Sequence, residues 1–62
     1  MVGKNIKEYR IMYGFSQKQL GEMLGYSART ISDWEKGNTE PNITAIKNLI
    51  KIFNISYEDL LD

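Results

Sequence analysis

Arg29, Ser32, Asp33 and Lys36 recur three and four residues apart, the spacing that gathers side chains on one face of a helix. Their polar groups are a guanidinium, a hydroxyl, a carboxylate and an ammonium. Such a stripe donates and accepts hydrogen bonds and carries both signs of charge, which is the chemistry of polar recognition. Covalent chemistry has few candidates elsewhere. The chain contains no histidine and no cysteine, so the commonest general base and the thiolate nucleophile are both absent. Ser16, Ser27 and Ser56 stand where helix caps are expected, and Glu58 and Asp59 are adjacent, so they diverge around a helix. There is no phosphate-binding glycine loop, and the usual zinc ligand sets are missing. No catalytic residue, cofactor or metal ligand is assigned, and the chain is not read as an enzyme.

The elements that must position the stripe are legible in residues 17–36. Ser16 and Gln19 form a Ser-x-x-Gln capping box, and Phe15 ahead of it can staple onto Leu20. Leu20, Met23 and Leu24 then fall at helical spacing. Gly25 follows the last apolar residue, where helices end in a left-handed conformation. A second cap, Ser27, starts a helix over Ala28 to Lys36, with Tyr26 able to staple onto Ile31 and with Gly37 as its stop. Ile31 and Trp34 point inward. Gly21 lies on the inner face of the first helix, where it costs about 1 kcal/mol against alanine, and close approach of the second helix would explain it. The short link suits two helices crossing at a steep angle.

Around this unit the pattern predicts three more helices and no strand. Helix 1 covers Val2 to Tyr13, with Ile6, Tyr9, Arg10 and Tyr13 on one face and Gly14 as its stop. Gly37 to Pro41 is dense in turn formers. Asn42 caps a helix from Ile43 to Phe53, in which Ile43, Ile46, Leu49, Ile50 and Phe53 recur at amphipathic spacing. Ser56 caps a last helix, Tyr57 to Leu61, with Ile55 able to staple onto Leu60 and with acidic Glu58 and Asp59 at its positive end. Phe15, Trp34 and Phe53 are read as packing residues. Tyr57 packs on helix 4 or joins a contact between copies.

Sixty-two residues allow one domain, 1–62, of marginal stability. No apolar run approaches the roughly 20 residues of a membrane span, and Met1 to Asn5 lack the apolar core of a signal peptide. A cytoplasmic location is expected. The formal net charge is zero. Residues 1–38 carry two excess positive charges and residues 39–62 two excess negative ones, which gives the chain a weak polarity.

Gln17, Leu20, Gly21, Leu24, Gly25, Tyr26, Ile31 and Trp34 resemble the signature positions of the helix-turn-helix in phage Cro and repressor proteins. Ile6, Tyr9, Arg10, Gly14, Phe15, Ser16 and Gln17 are similar to that family's first helix and its entry to the second. Glu35, Gly37, Pro41, Ile46, Leu49, Ile55, Ser56, Leu60 and Leu61 are similar to its tail. The resemblance covers roughly residues 4–62. It implies an all-α, compact, five-helix, lambda-repressor-like DNA-binding domain, with the helix-turn-helix formed by helices 2 and 3 at 17–36.

The resemblance also implies site residues. Ala28, Arg29, Ser32 and Asp33 match base-contacting positions at the leading end of helix 3. Arg29 can fork onto guanine O6 and N7, and Ala28 can touch a thymine methyl. Asp33 admits three readings: accepting from a cytosine amine, excluding wrong sequences, or restraining Arg29 in an i, i+4 ion pair. Gln17, Ser27, Thr30, Lys36 and Asn38 match phosphate-contacting positions, with Gln17 at the positive end of helix 2. Arg10 and Glu35 stand where the family has a partly buried ion pair, and Arg10 is a further phosphate candidate.

The expected function is sequence-specific binding of double-stranded DNA in transcriptional regulation. By resemblance the chain is a repressor that binds a palindromic operator as a homodimer. The dimer forms through the acidic Ile52 to Asp62 end, weakly or only on DNA. No membrane and no small-molecule ligand is expected. Two alternatives stand beside this reading: a protein-interaction module of the antitoxin kind, which zero net charge favours, and the DNA-binding fragment of a longer regulator.

Overall fold

The computed structural model describes residues 2–62, and Met1 lies outside the described residues. Five helices follow one another: α1 Val2–Met12, α2 Gln17–Leu24, α3 Ala28–Lys36, α4 Ile43–Phe53 and α5 Tyr57–Leu61. Among the described residues there is no strand. The expected bounds hold except at the end of α1, where Tyr13 falls in the turn although its N–H still reaches the Tyr9 carbonyl at 3.0 Å.

Local chemistry explains the bounds. Ser16 Oγ accepts from the Gln19 N–H at 2.9 Å, and Gln19 Oε1 accepts from the Ser16 N–H at 2.8 Å. Two donors that a helix start leaves orphaned are thereby satisfied. Ser27 caps α3 through the Thr30 N–H, Asn42 caps α4 through the Ala45 N–H, and Ser56 caps α5 through the Asp59 N–H. At the last of these, Asp59 Oδ2 accepts from the Ser56 N–H in return, completing a second capping box. Gly25 ends α2 at φ 87, a backbone geometry that a Cβ would strain.

Every helix supplies the core. Ile6 comes from α1, Leu20 from α2, Ile31 and Trp34 from α3, Ala45, Leu49 and Phe53 from α4, and Leu60 from α5. Phe15, Tyr26 and Ile55, the three residues placed just ahead of the caps, are partly buried and pack against this cluster. Tyr9 stacks on Phe53 with ring centroids 5.6 Å apart, and Tyr26 meets Trp34 edge-on at 5.0 Å. Tyr13 packs on Phe53 at 5.5 Å and its hydroxyl donates to the Phe53 carbonyl. Asn5 Nδ2 donates to the Leu60 carbonyl at 2.7 Å, tying α1 to α5.

Two expected core residues lie elsewhere. Met23 is 49% exposed and Ile43 is 57% exposed. In α2 the buried face is Leu20, Gly21 and Leu24, and Met23 sits on the far side of Leu20 from Gly21. In α4 the buried line runs Ala45, Leu49, Phe53, and Ile43, two residues before Ala45, falls about 160° around the helix from it, near the opposite face. Tyr57, left open between packing and a contact surface, is 45% exposed.

Candidate nucleic-acid interface

Helix α3 is clamped from its inner side, and this fixes which residues it presents outward. Ile31 and Trp34 are buried, and α3 packs most extensively on α2 and α1. Gly21 is what lets α2 approach. A Cβ built there would meet the Tyr26 carbonyl oxygen at 2.5 Å and Ser27 carbonyl carbon at 3.2 Å. The expectation of a close approach at Gly21 is met, and the neighbour is the backbone of the turn itself. Gly3 does the same for α1, where a Cβ would meet the Trp34 carbonyl oxygen at 2.2 Å. Nothing in the sequence distinguished Gly3 from a glycine near a chain end.

Glu35 lies at the junction of the three helices. Arg10 Nε donates to its Oε2 at 2.6 Å, Arg10 Nη2 to its Oε1 at 3.1 Å, and Gln17 Nε2 to its Oε1 at 3.1 Å. The side chains of Arg10 and Glu35 are 12% and 4% exposed. A carboxylate so enclosed is held by charge-assisted, forked hydrogen bonds that replace the water it has lost. The remaining arm of Arg10, Nη1, donates to the Phe15 carbonyl at 2.9 Å. The ion pair expected between these two residues is present. Of the two tasks given to Arg10, this one occupies two of its five donors, and the Phe15 carbonyl takes a third.

The outward stripe of α3 is open. Arg29 and Lys36 are exposed, and Ala28, Thr30, Ser32 and Asp33 are partly exposed. Of the three readings of Asp33, the restraint of Arg29 is not formed, because Arg10–Glu35 is the one ion pair among the described residues. Asp33 Oδ1 instead has the Asn38 amide at 3.5 Å, a long and weak contact. Lys36 is in the last turn of α3, where its charge suits the negative end of the helix.

The remaining candidates cluster at the two ends of this stripe. Ser27 Oγ accepts the Thr30 N–H at 3.2 Å and lies 3.0 Å from Thr30 Oγ1, so both hydroxyls are mutually engaged at the leading end. Asn38, just past the trailing end, donates its backbone N–H to the Asp33 carbonyl at 2.9 Å. Gln17 opens α2, and its side-chain amide is turned toward Glu35, leaving one amide hydrogen. A cleft of about 330 Å³ between the start of α1 and the end of α3 is lined by Gly3, Lys4, Trp34, Lys36 and Glu40 among others. No helix among the described residues is long and apolar enough to cross a membrane.

Comparisons with known proteins agree with this geometry. Residues 6–60 match the family model described as helix-turn-helix. The chain is 34% identical over 55 residues to the uncharacterized HTH-type transcriptional regulator YgzD of Bacillus subtilis, covering 89% of this chain and 83% of that one. It is 31% identical over 61 residues to the antitoxin PezA of Streptococcus pneumoniae, covering 98% of this chain and 39% of that longer protein. Among solved structures, the P22 c2 repressor protein in complex with a synthetic operator superposes with a TM-score of 0.89 at 35% identity, covering 97% of this chain and 91% of that one. The match spans all five helices except the ends of the first and last, and the chain belongs to the helix-turn-helix family.

Proposed function

We propose that this chain is a DNA-binding transcriptional regulator that lays α3 in the major groove of double-stranded DNA. The observation that carries the reading is the open stripe Arg29, Ser32, Asp33 and Lys36, held outward by a helix whose other side is fully engaged with α1 and α2. An α-helix fits the major groove, which is about 12 Å wide. Ala28, Arg29, Ser32 and Asp33 face base edges. Gln17, Ser27, Thr30, Lys36 and Asn38 bracket them and hold phosphates, fixing register without reading sequence. Arg10 supports this surface from beneath through Glu35. The likeness to an operator-bound repressor supports repression, in which the protein occupies an operator and blocks polymerase. A two-fold dimer on a palindrome, paired through the Ile52 to Asp62 end, completes the reading, because one such helix reaches few base pairs.

Selection of binding sites from random duplex DNA, followed by titration of the winner across salt concentrations, tests it. The expected winner is palindromic and its affinity falls steeply with salt. Lys36→Ala flattens that slope by about one unit of log affinity per log salt.

A second reading has support of its own. The similarity to an antitoxin and the zero net charge fit a module that binds a protein partner, with DNA secondary. Failure of any duplex to be enriched at low salt would make it the leading reading.

A further inference from the structure

We infer that Asp33 and Arg29 together read two G·C pairs in each half-site, Arg29 taking a guanine and Asp33 the amino group of a cytosine one to two base steps away. This rests on the DNA-binding reading above and adds to it a statement about which sequence is bound. Arg29 and Asp33 are four residues apart on the open face of α3, about 6 Å along the helix axis. Successive base pairs rise about 3.4 Å, so the two side chains span one to two steps. Neither is spent within the protein. Arg29 has no carboxylate at ion-pair distance among the described residues, and the one side-chain contact of Asp33 is the long 3.5 Å approach of Asn38.

A carboxylate has only acceptor atoms to offer. Against a phosphate it is repelled, so its place on this face is explained by a donor in the groove. Two bases present one. Adenine N6 sits beside the N7 acceptor of the same base, which a second carboxylate oxygen would face. Cytosine N4 has no acceptor beside it on its own edge and pairs with glutamate or aspartate for that reason. Guanine and thymine leave a desolvated carboxylate unpaired, and adenine sets it against N7, so Asp33 selects as much by exclusion as by attraction. Arg29 and Lys36, one turn away on either side, offset its charge against the surrounding phosphates.

The test exchanges one residue for a near-isostere with a different base preference. Sites are selected from random duplex DNA with the full chain, then with Asp33→Asn and with Arg29→Ala. Asparagine pairs with adenine through N6 and N7. The expected outcome is that Asp33→Asn converts one conserved cytosine to adenine and leaves the guanine in place. Arg29→Ala should flatten the guanine alone. Binding measured on single-base variants should show discrimination on the order of tenfold or more at each position, lost only in the matching variant. Asp33→Asn that tightens binding to every sequence equally, or leaves the selected site unchanged, overturns the assignment while the DNA-binding reading stands. Failure to enrich any sequence with the unaltered chain overturns both, and the two failures are thereby told apart.

Discussion

Gln17 and Glu35, eighteen residues apart in the chain, are joined by a hydrogen bond of 3.1 Å from the Gln17 amide to Glu35 Oε1. Through the same carboxylate, Arg10 is joined to both. The start of α2 and the end of α3 therefore share one anchor on α1. The angle between the two helices of the turn is set by this anchor on one side and by the Gly21 contact on the other.

Replacing Glu35 with alanine leaves Arg10 as an enclosed charge without a counterion. Removing one partner of such a pair costs about 3–5 kcal/mol. A domain this small has a total stability of only a few kcal/mol. Thermal melts followed by circular dichroism should show Glu35→Ala largely unfolded near room temperature. An unchanged midpoint would mean that the pair contributes nothing.

Two glycines of the helix-turn-helix predict different failures. Gly21→Ala keeps helical geometry and gains about 1 kcal/mol of helix propensity, yet its new Cβ would sit 2.5 Å from a backbone oxygen of the neighbouring turn. Overpacking of this kind costs about 1–3 kcal/mol and should part α2 from the turn, weakening DNA binding along with stability. Gly25→Ala meets no atom within 4 Å but must adopt φ 87. It should lose about 1–2 kcal/mol by strain alone. Urea titrations of both variants, read beside DNA affinity measured well below each midpoint, separate the two effects.

Ile43 and Leu49 lie in the same apolar stripe of α4 but differ in burial. Ile43→Ser should change stability by less than about 0.5 kcal/mol, because the side chain is already 57% exposed. Leu49→Ala removes a fully buried side chain from the centre of the core and should cost about 2–5 kcal/mol. Equal midpoints in chemical denaturation would contradict the burial pattern.

These contrasts mark where sequence reading reaches and where it stops. Helix starts and ends were legible because capping is local chemistry: Ser16 and Gln19, or Ser27 and the glycine that closes α3, act within a few residues of each other. The junction of Arg10 and Glu35 was legible through resemblance to a known family. Periodicity failed at Met23 and Ile43 because it detects an apolar stripe without its width, and the buried part is narrower than the stripe. Ala45 was missed in turn because a small side chain gives little hydrophobic signal. The bonds from Asn5 to Leu60 and from Tyr13 to Phe53 join residues 55 and 40 apart, and no local pattern announces them. Gln17 was expected at a phosphate through its place at the start of α2, and the bond of its side-chain amide to Glu35 emerges only once three helices are assembled.

Trp34 is the one tryptophan of the chain, and it is buried inside the helix-turn-helix with Tyr26 edge-on against it. The protein thus carries an optical probe in the unit proposed to face DNA. Its emission reports the environment at the joint between α2 and α3, while far-ultraviolet circular dichroism averages over all five helices. Loosening of that joint would redden the fluorescence before ellipticity is lost, so one sample can distinguish a domain that has unfolded from one that has only opened its turn.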